Sequence, residues 1–170
     1  RLYKLKEICD FCTENDIYSF FDAIQAIGVI DLDVKKLGVD FLVGGAQKWL
    51  LGPIGCGYLY VSSKHHNIVQ SPLVGWCSLE YPEKFELKTQ RLADEMTQFE
   101  PGLPNLFSIA GLSKSLDNFN EIGLDVISKK IKSNTEYLDE LVCSLSLTNL
   151  RHKSDLKAGI VSFNIPKEHD

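Results

Sequence analysis

The chain has 170 residues, 44% of them hydrophobic and 24% charged, with a net charge of −5 at pH 7. Such a composition suits a soluble domain with a real core and gives no reason to expect disorder, while the acidic balance argues against a nucleic-acid-binding surface, which is normally basic. No apolar run approaches the roughly 18 residues that span a bilayer, and no signal-like N-terminus is present, so no membrane association is expected and the cytoplasm is the expected location.

The first residue is Arg1 rather than Met, and residues 2–14 carry an amphipathic pattern that predicts a helix with Leu5, Ile8, Cys9 and Cys12 on one stripe. The chain therefore reads as a fragment. Cys9 and Cys12 form a C-x-x-C, but a structural zinc site needs four well-placed ligands and no second close pair exists among Cys56, Cys77 and Cys143. No metal is expected; the pair reads as small apolar residues facing a core. An odd number of cysteines without a secretory signal fits reduced thiols.

Residues 17–21 predict a strand that ends at Asp22, residues 33–37 a short helix, residues 41–44 a second strand and residues 57–61 a third. Strands joined by short connections suggest one side of a mostly parallel α/β sheet. Lys48 lies 26 positions after Asp22, close to one βαβ repeat of roughly 30 residues. If the first two strands are parallel, their C-terminal ends share the sheet edge where such folds bind ligands.

His65 and His66 are adjacent, point different ways on any regular element, and read as surface-loop residues. Residues 71–104, with Pro72, Pro82, Pro101 and Pro104, read as loop-rich. The aromatics Trp76, Tyr81 and Phe85 there could line a site mouth or an interface, or simply pack under the loop. From residue 106 to 147 apolar residues recur at helical spacing, as at Ile122, Val126, Ile127, Ile131, Leu138, Leu141 and Val142, with a break at Gly123. A connecting helix into a second domain is the natural reading, Lys129 and Lys130 lie on its solvated face, and a strand over residues 160–165 would open the next sheet.

Chemistry concentrates at Asp22, Gln25 and Lys48. A lysine beside an apolar strand end is a Schiff-base candidate, because partial desolvation favours the neutral, nucleophilic amine. A carboxylate nearby can hold a pyridinium nitrogen protonated, which makes pyridoxal phosphate an electron sink for a carbanion at a substrate's α-carbon. Asp22 suits that role, and Gln25, in the turn ending at Gly28, could donate an amide hydrogen bond to the cofactor's phenolate oxygen. Taken singly, each residue also has an ordinary reading as a solvated surface group.

The segment carrying these residues resembles the cofactor-lysine region of class V aminotransferases, the pyridoxal-phosphate family that includes cysteine desulfurases, selenocysteine lyases and isopenicillin N epimerase-like proteins. The likeness lies in the D-x-x-Q of Asp22 and Gln25, the I-D of Ile30 and Asp31, the V-D-F of residues 39–41, the Q-K-W-L-L-G-P of residues 47–53 and the G-x-G-Y-L-Y-V of residues 55–61. Downstream, F-E-P-G-L-P-N over residues 99–105 is similar to the family's E-x-G-T-P-N segment, and residues 158–165 resemble a strand of its C-terminal domain.

The resemblance implies a fold-type-I transferase, with residues 1–115 as the C-terminal part of the large cofactor domain and residues 116–170 as the connecting helix and start of a small α+β domain. It implies that the third strand runs antiparallel. It further implies that Asp22 pairs with the pyridine nitrogen, Gln25 contacts the phenolate oxygen and Lys48 carries the Schiff base. An amino-acid substrate and a homodimer with interfacial active sites follow from the same likeness. Family members carry other site elements upstream and downstream of the matching region, so this stretch is expected to hold an incomplete active site.

The chain departs from the family pattern at the phosphate end. Where many members have serine or threonine three residues before the lysine, this chain has Gly45; Gln47 replaces a histidine, and Leu103 replaces the threonine of G-T-P-N. Each lost donor to a charged phosphate is worth about 1.5–3 kcal/mol unless compensated. Gln47 can still donate through its amide and is retained as a cofactor contact. These departures favour an alternative reading, a family-shaped interaction or structural module without chemistry, which the intact Asp22, Gln25 and Lys48 oppose.

Overall fold

The structure, a computed structural model, describes residues 3–85, 90–93, 96–150 and 157–165. Helix α1 (Leu5–Glu14) is followed by strand β1 (Phe20–Asp22), the short helix α2 (Val34–Leu37), and strands β2 (Phe41–Gly45) and β3 (Gly57–Val61). The sheet order is β1-β2-β3. β1 and β2 are parallel with Asp22 opposite Val43, and β2 and β3 are antiparallel with Gly45 opposite Gly57. The expected parallel pair and the expected antiparallel third strand are both present.

Local chemistry explains these boundaries. Asp33 caps α2 by accepting the backbone N–H groups of Lys35 and Lys36, and Gly38 closes it at φ 76°, the left-handed conformation that glycine adopts without cost. β1 starts later than the expected residue 17. Asp16 turns at φ 55° and the Ile17 N–H returns to the Cys12 carbonyl at 2.8 Å, so the first residues of the apolar run serve the exit from α1. Cys9, Ala23, Val39 and Leu42 form the core between the helices and the sheet.

The two histidines are not plain surface-loop residues. Asp40, at the start of β2, accepts the Ser19 backbone N–H and hydroxyl, each at 2.9 Å, and its other oxygen lies 2.6 Å from His65 Nε2. The Ser19 hydroxyl in turn accepts the Asp40 backbone N–H at 3.0 Å. His65 also stacks on Phe41, and His66 Nε2 lies 3.2 Å from the Val61 carbonyl. The reason is packing: Asp40 is buried, and a buried carboxylate must be paired. Nothing adjacent in sequence announces a partner 25 positions away.

Burial pushes the Asp40 carboxyl up, but the bonds from Ser19 and the contact with His65 outweigh it and hold the group below the usual carboxylate range. A carboxyl depressed in the native state contributes stability that is complete above its unfolded-state value and is lost as pH falls through its native value. Urea unfolding between pH 3 and 8 should therefore show stability falling below about pH 4. Asp40→Asn should remove part of that acid limb and cost about 3 kcal/mol or more at neutral pH. An unchanged pH profile in the variant would refute this role.

Residues 71–85, 90–93 and 96–104 hold single 3-10 turns at Trp76–Ser78, Pro82–Lys84 and Met96–Phe99. Trp76 stacks on Phe85 at a centroid distance of 5.4 Å. Helix α3 (Leu106–Ile122), capped by Asn105, and helix α4 (Leu124–Ser144) are separated by Gly123 at φ 90°, as the break in the pattern predicts. Strand β5 (Phe163–Asn164) is shorter than expected and pairs antiparallel with β4 (Thr148–Asn149). Two residues are too few to show an alternating pattern, so β4 has no sequence signal. No helix among the described residues is long and apolar enough to cross a membrane.

Candidate active site

β1 and β2 end side by side, and the candidate residues sit on the turns that leave them. Asp22 closes β1 and its Oδ1 accepts the Ile24 N–H at 2.9 Å, which starts the turn carrying Gln25. That turn reaches Gly28 at φ 91°, where a Cβ would lie 2.6 Å from the Trp49 carbonyl oxygen. Only glycine permits this approach, and it brings the turn after β1 onto the turn after β2.

The second turn runs from Ala46 to Gly52, closed by bonds from the Leu51 N–H to the Lys48 carbonyl and from the Gly52 N–H to the Ala46 carbonyl. Leu51 adopts φ 54° while 78% exposed, a strained conformation for a non-glycine residue and of the kind that collects at functional sites. Lys48 is exposed. The desolvation expected from its flanking leucines is not supplied by the described residues, because Leu50 points into the core and Leu51 is solvent-facing.

Helix serines, Ser108 and Ser115 buried and Ser128 half-buried, hold these turns. Ser115 Oγ donates to the Leu50 carbonyl, Ser108 Oγ to the Ile54 carbonyl at 2.9 Å, and Ser128 Oγ to the Val29 carbonyl. Each satisfies a carbonyl that the turn geometry leaves without a backbone partner. Helices α3 and α4 thus fix the site's backbone from behind. The helical periodicity gave no hint of this, since serine on a helix ordinarily faces water.

Gln25 is tied to the lysine turn through Trp49, the residue after Lys48, whose indole N–H donates to Gln25 Oε1 at 2.9 Å. Asp22 stands one strand away, in register with Val43. Gln47 lies against Gly45, its amide oxygen in the space that a Cβ at position 45 would take. The two departures at the phosphate end are therefore one feature: the missing side chain makes the room that the glutamine amide fills. Leu103 is 74% exposed and offers no donor.

Two residues near the site lacked a sequence signal. Trp49 was legible only as a flank of Lys48. Tyr58 lies over Gly44, and its hydroxyl is buried with no hydrogen-bond partner among the described residues. Burial, and then the negative charge of Asp22, push its pKa up, so it stays a protonated donor at neutral pH.

The donor set fits pyridoxal phosphate: a carboxylate at the end of β1, an amide whose oxygen is already taken, and, on the neighbouring turn, a lysine that follows Gln47. Of the side chains at positions 45, 47 and 103, that of Gln47 alone carries a hydrogen-bond donor. Groups of three or more metal-ligating side chains are absent among the described residues.

A model of the aminotransferase class-V family matches residues 2–170. A probable cysteine desulfurase from Pyrococcus abyssi is 34% identical over 173 residues, covering 99% of this chain and 41% of its own length. A kynureninase from Bacillus thuringiensis is 31% identical over 144 residues, covering 84% of this chain and 33% of its own length. Among solved structures, the apo cysteine desulfurase of Thermococcus onnurineus superposes with a TM-score of 0.87 at 28% identity, over 96% of this chain and 40% of that one. A mutant of C-DES with glycine covalently linked to its pyridoxal-phosphate cofactor gives a TM-score of 0.87 at 26% identity, over 98% and 44%. This chain spans about two-fifths of the length of the cysteine desulfurases it matches.

Proposed function

This chain belongs to the class-V aminotransferase family of pyridoxal-phosphate-dependent enzymes, and on that premise we propose that it forms part of a cysteine desulfurase-like enzyme acting on an amino acid through Lys48. When bound, pyridoxal phosphate supplies an electron sink for negative charge at the substrate's α-carbon. Lys48 Nζ would hold the cofactor covalently and, once displaced by the substrate's amine, would be free to move the α-proton as general base and then acid. Asp22 holds the proton on the ring nitrogen through its carboxylate. Gln25 donates its amide N–H to the phenolate oxygen, and Gln47 donates to the phosphate from its seat against Gly45.

The observation that carries the reading is the parallel pairing of β1 and β2, which sets Asp22 and the lysine turn on one sheet edge. A homodimer is part of the proposal. It is supported by Ile54, Leu106 and Phe107, which are 84%, 60% and 92% exposed, beside the loop that Ser108 ties to α3; an apolar cluster of this kind marks an interaction surface. The division expected at residues 115/116 runs through α3, so we propose that the two domains share this helix.

The alternative, a family-shaped module without chemistry, is favoured by the apolar, exposed Leu103. One experiment separates the two: an absorbance spectrum of the full-length protein with added pyridoxal phosphate, then borohydride reduction and peptide mass mapping. A visible band trapped on Lys48 is expected. No band, or label scattered over surface lysines, would favour the module.

A further inference from the structure

We infer that Trp49 is a positioning residue that decides which end of the Gln25 amide faces the cofactor, and that the segment around Gly159 sets the position of Trp49. The inference rests on the reading of Gln25 as a cofactor contact. An indole N–H only donates, so the atom of Gln25 that it meets at 2.9 Å is the amide oxygen. The NH2 end is then the end left to donate. Without the indole, the amide is free to rotate and to present its oxygen to a phenolate, where like partial charges repel.

Trp49 is itself held at both its backbone and its ring. Its backbone carbonyl lies under Gly28, and at Gly159 a Cβ would be 3.0 Å from Trp49 Cη2 and 3.0 Å from Ile131 Cγ2. The chain at Gly159, before β5, thus lies close to both the outer edge of the ring and Ile131 of α4, with no room for a side chain between them. Ser128 of α4 also holds the Val29 carbonyl in the turn that carries Gln25. Residues more than 100 positions after Gln25 in sequence therefore bear on its orientation.

Two readouts on the full-length protein test this. In the cofactor-free protein, the indole N–H resonance that Trp49→Phe removes should move in Gln25→Leu, which has no acceptor, and stay near its place in Gln25→Glu, which keeps one. With cofactor bound, the pH midpoint of the visible band should rise in Trp49→Phe by about half to one pH unit, the size expected for one lost hydrogen bond. Gln25→Leu should shift it the same way, because an unbonded phenolate holds the neighbouring proton more tightly. Gly159→Ala should move both the indole resonance and the midpoint. A midpoint that shifts in Gln25→Leu but not in Trp49→Phe would overturn the positioning role while leaving Gln25 a cofactor contact. An indole resonance indifferent to Gln25→Leu would overturn the bond itself, and a midpoint indifferent to Gln25→Leu would overturn both readings.

Discussion

Lys48→Ala is expected to leave no residue at position 48 for borohydride to trap and to lower turnover by roughly 10³-fold or more, since nucleophile and general base are lost together. The side chain is exposed, so its removal should change stability by no more than about 0.5 kcal/mol. Lys48→Arg should fail equally: it keeps the charge and cannot form the covalent link. The comparison separates the amine's chemistry from its charge. An unchanged visible band in either variant would remove Lys48 from the mechanism.

Asp22→Asn is expected to be the next most damaging change. The variant keeps an oxygen that can accept the Ile24 N–H, which Asp22 now holds at 2.9 Å, so the turn leading to Gln25 should survive. What it loses is the negative charge. A charge-assisted hydrogen bond is worth about 1.5–3 kcal/mol, which corresponds to a fall in turnover of about 10- to 10²-fold. Asp22→Ala should lose the turn contact as well and show a measurable drop in thermal stability. Full activity in Asp22→Asn would refute the assigned role.

The sheet edge was legible because its signals are local or periodic. Apolar runs ending at Asp22 and near Lys48 lie within a few residues of the strands they determine, and the spacing between them is close to one βαβ unit. What escaped was tertiary. The partner of His65 is Asp40, 25 positions away, and the grip of Ser115 on the Leu50 carbonyl spans 65. Trp49 was visible as a large residue beside a lysine, yet its partner depends on Gly28 letting two turns meet. Serines at 108, 115 and 128 look like ordinary polar positions until the carbonyls they satisfy are known.

The Ser19–Asp40–His65 cluster closes the N-terminal ends of β1 and β2, while Asp22 and the lysine turn occupy the opposite ends of the same strands. One end anchors; the other is free to vary. A lineage could therefore exchange Gly45 and Gln47 together for other side chains, and retune or even abandon its reaction, without loosening the anchored ends of the strands. The fold's evolvability lies in that separation, with the durable half of each strand held apart from the half that meets the ligand.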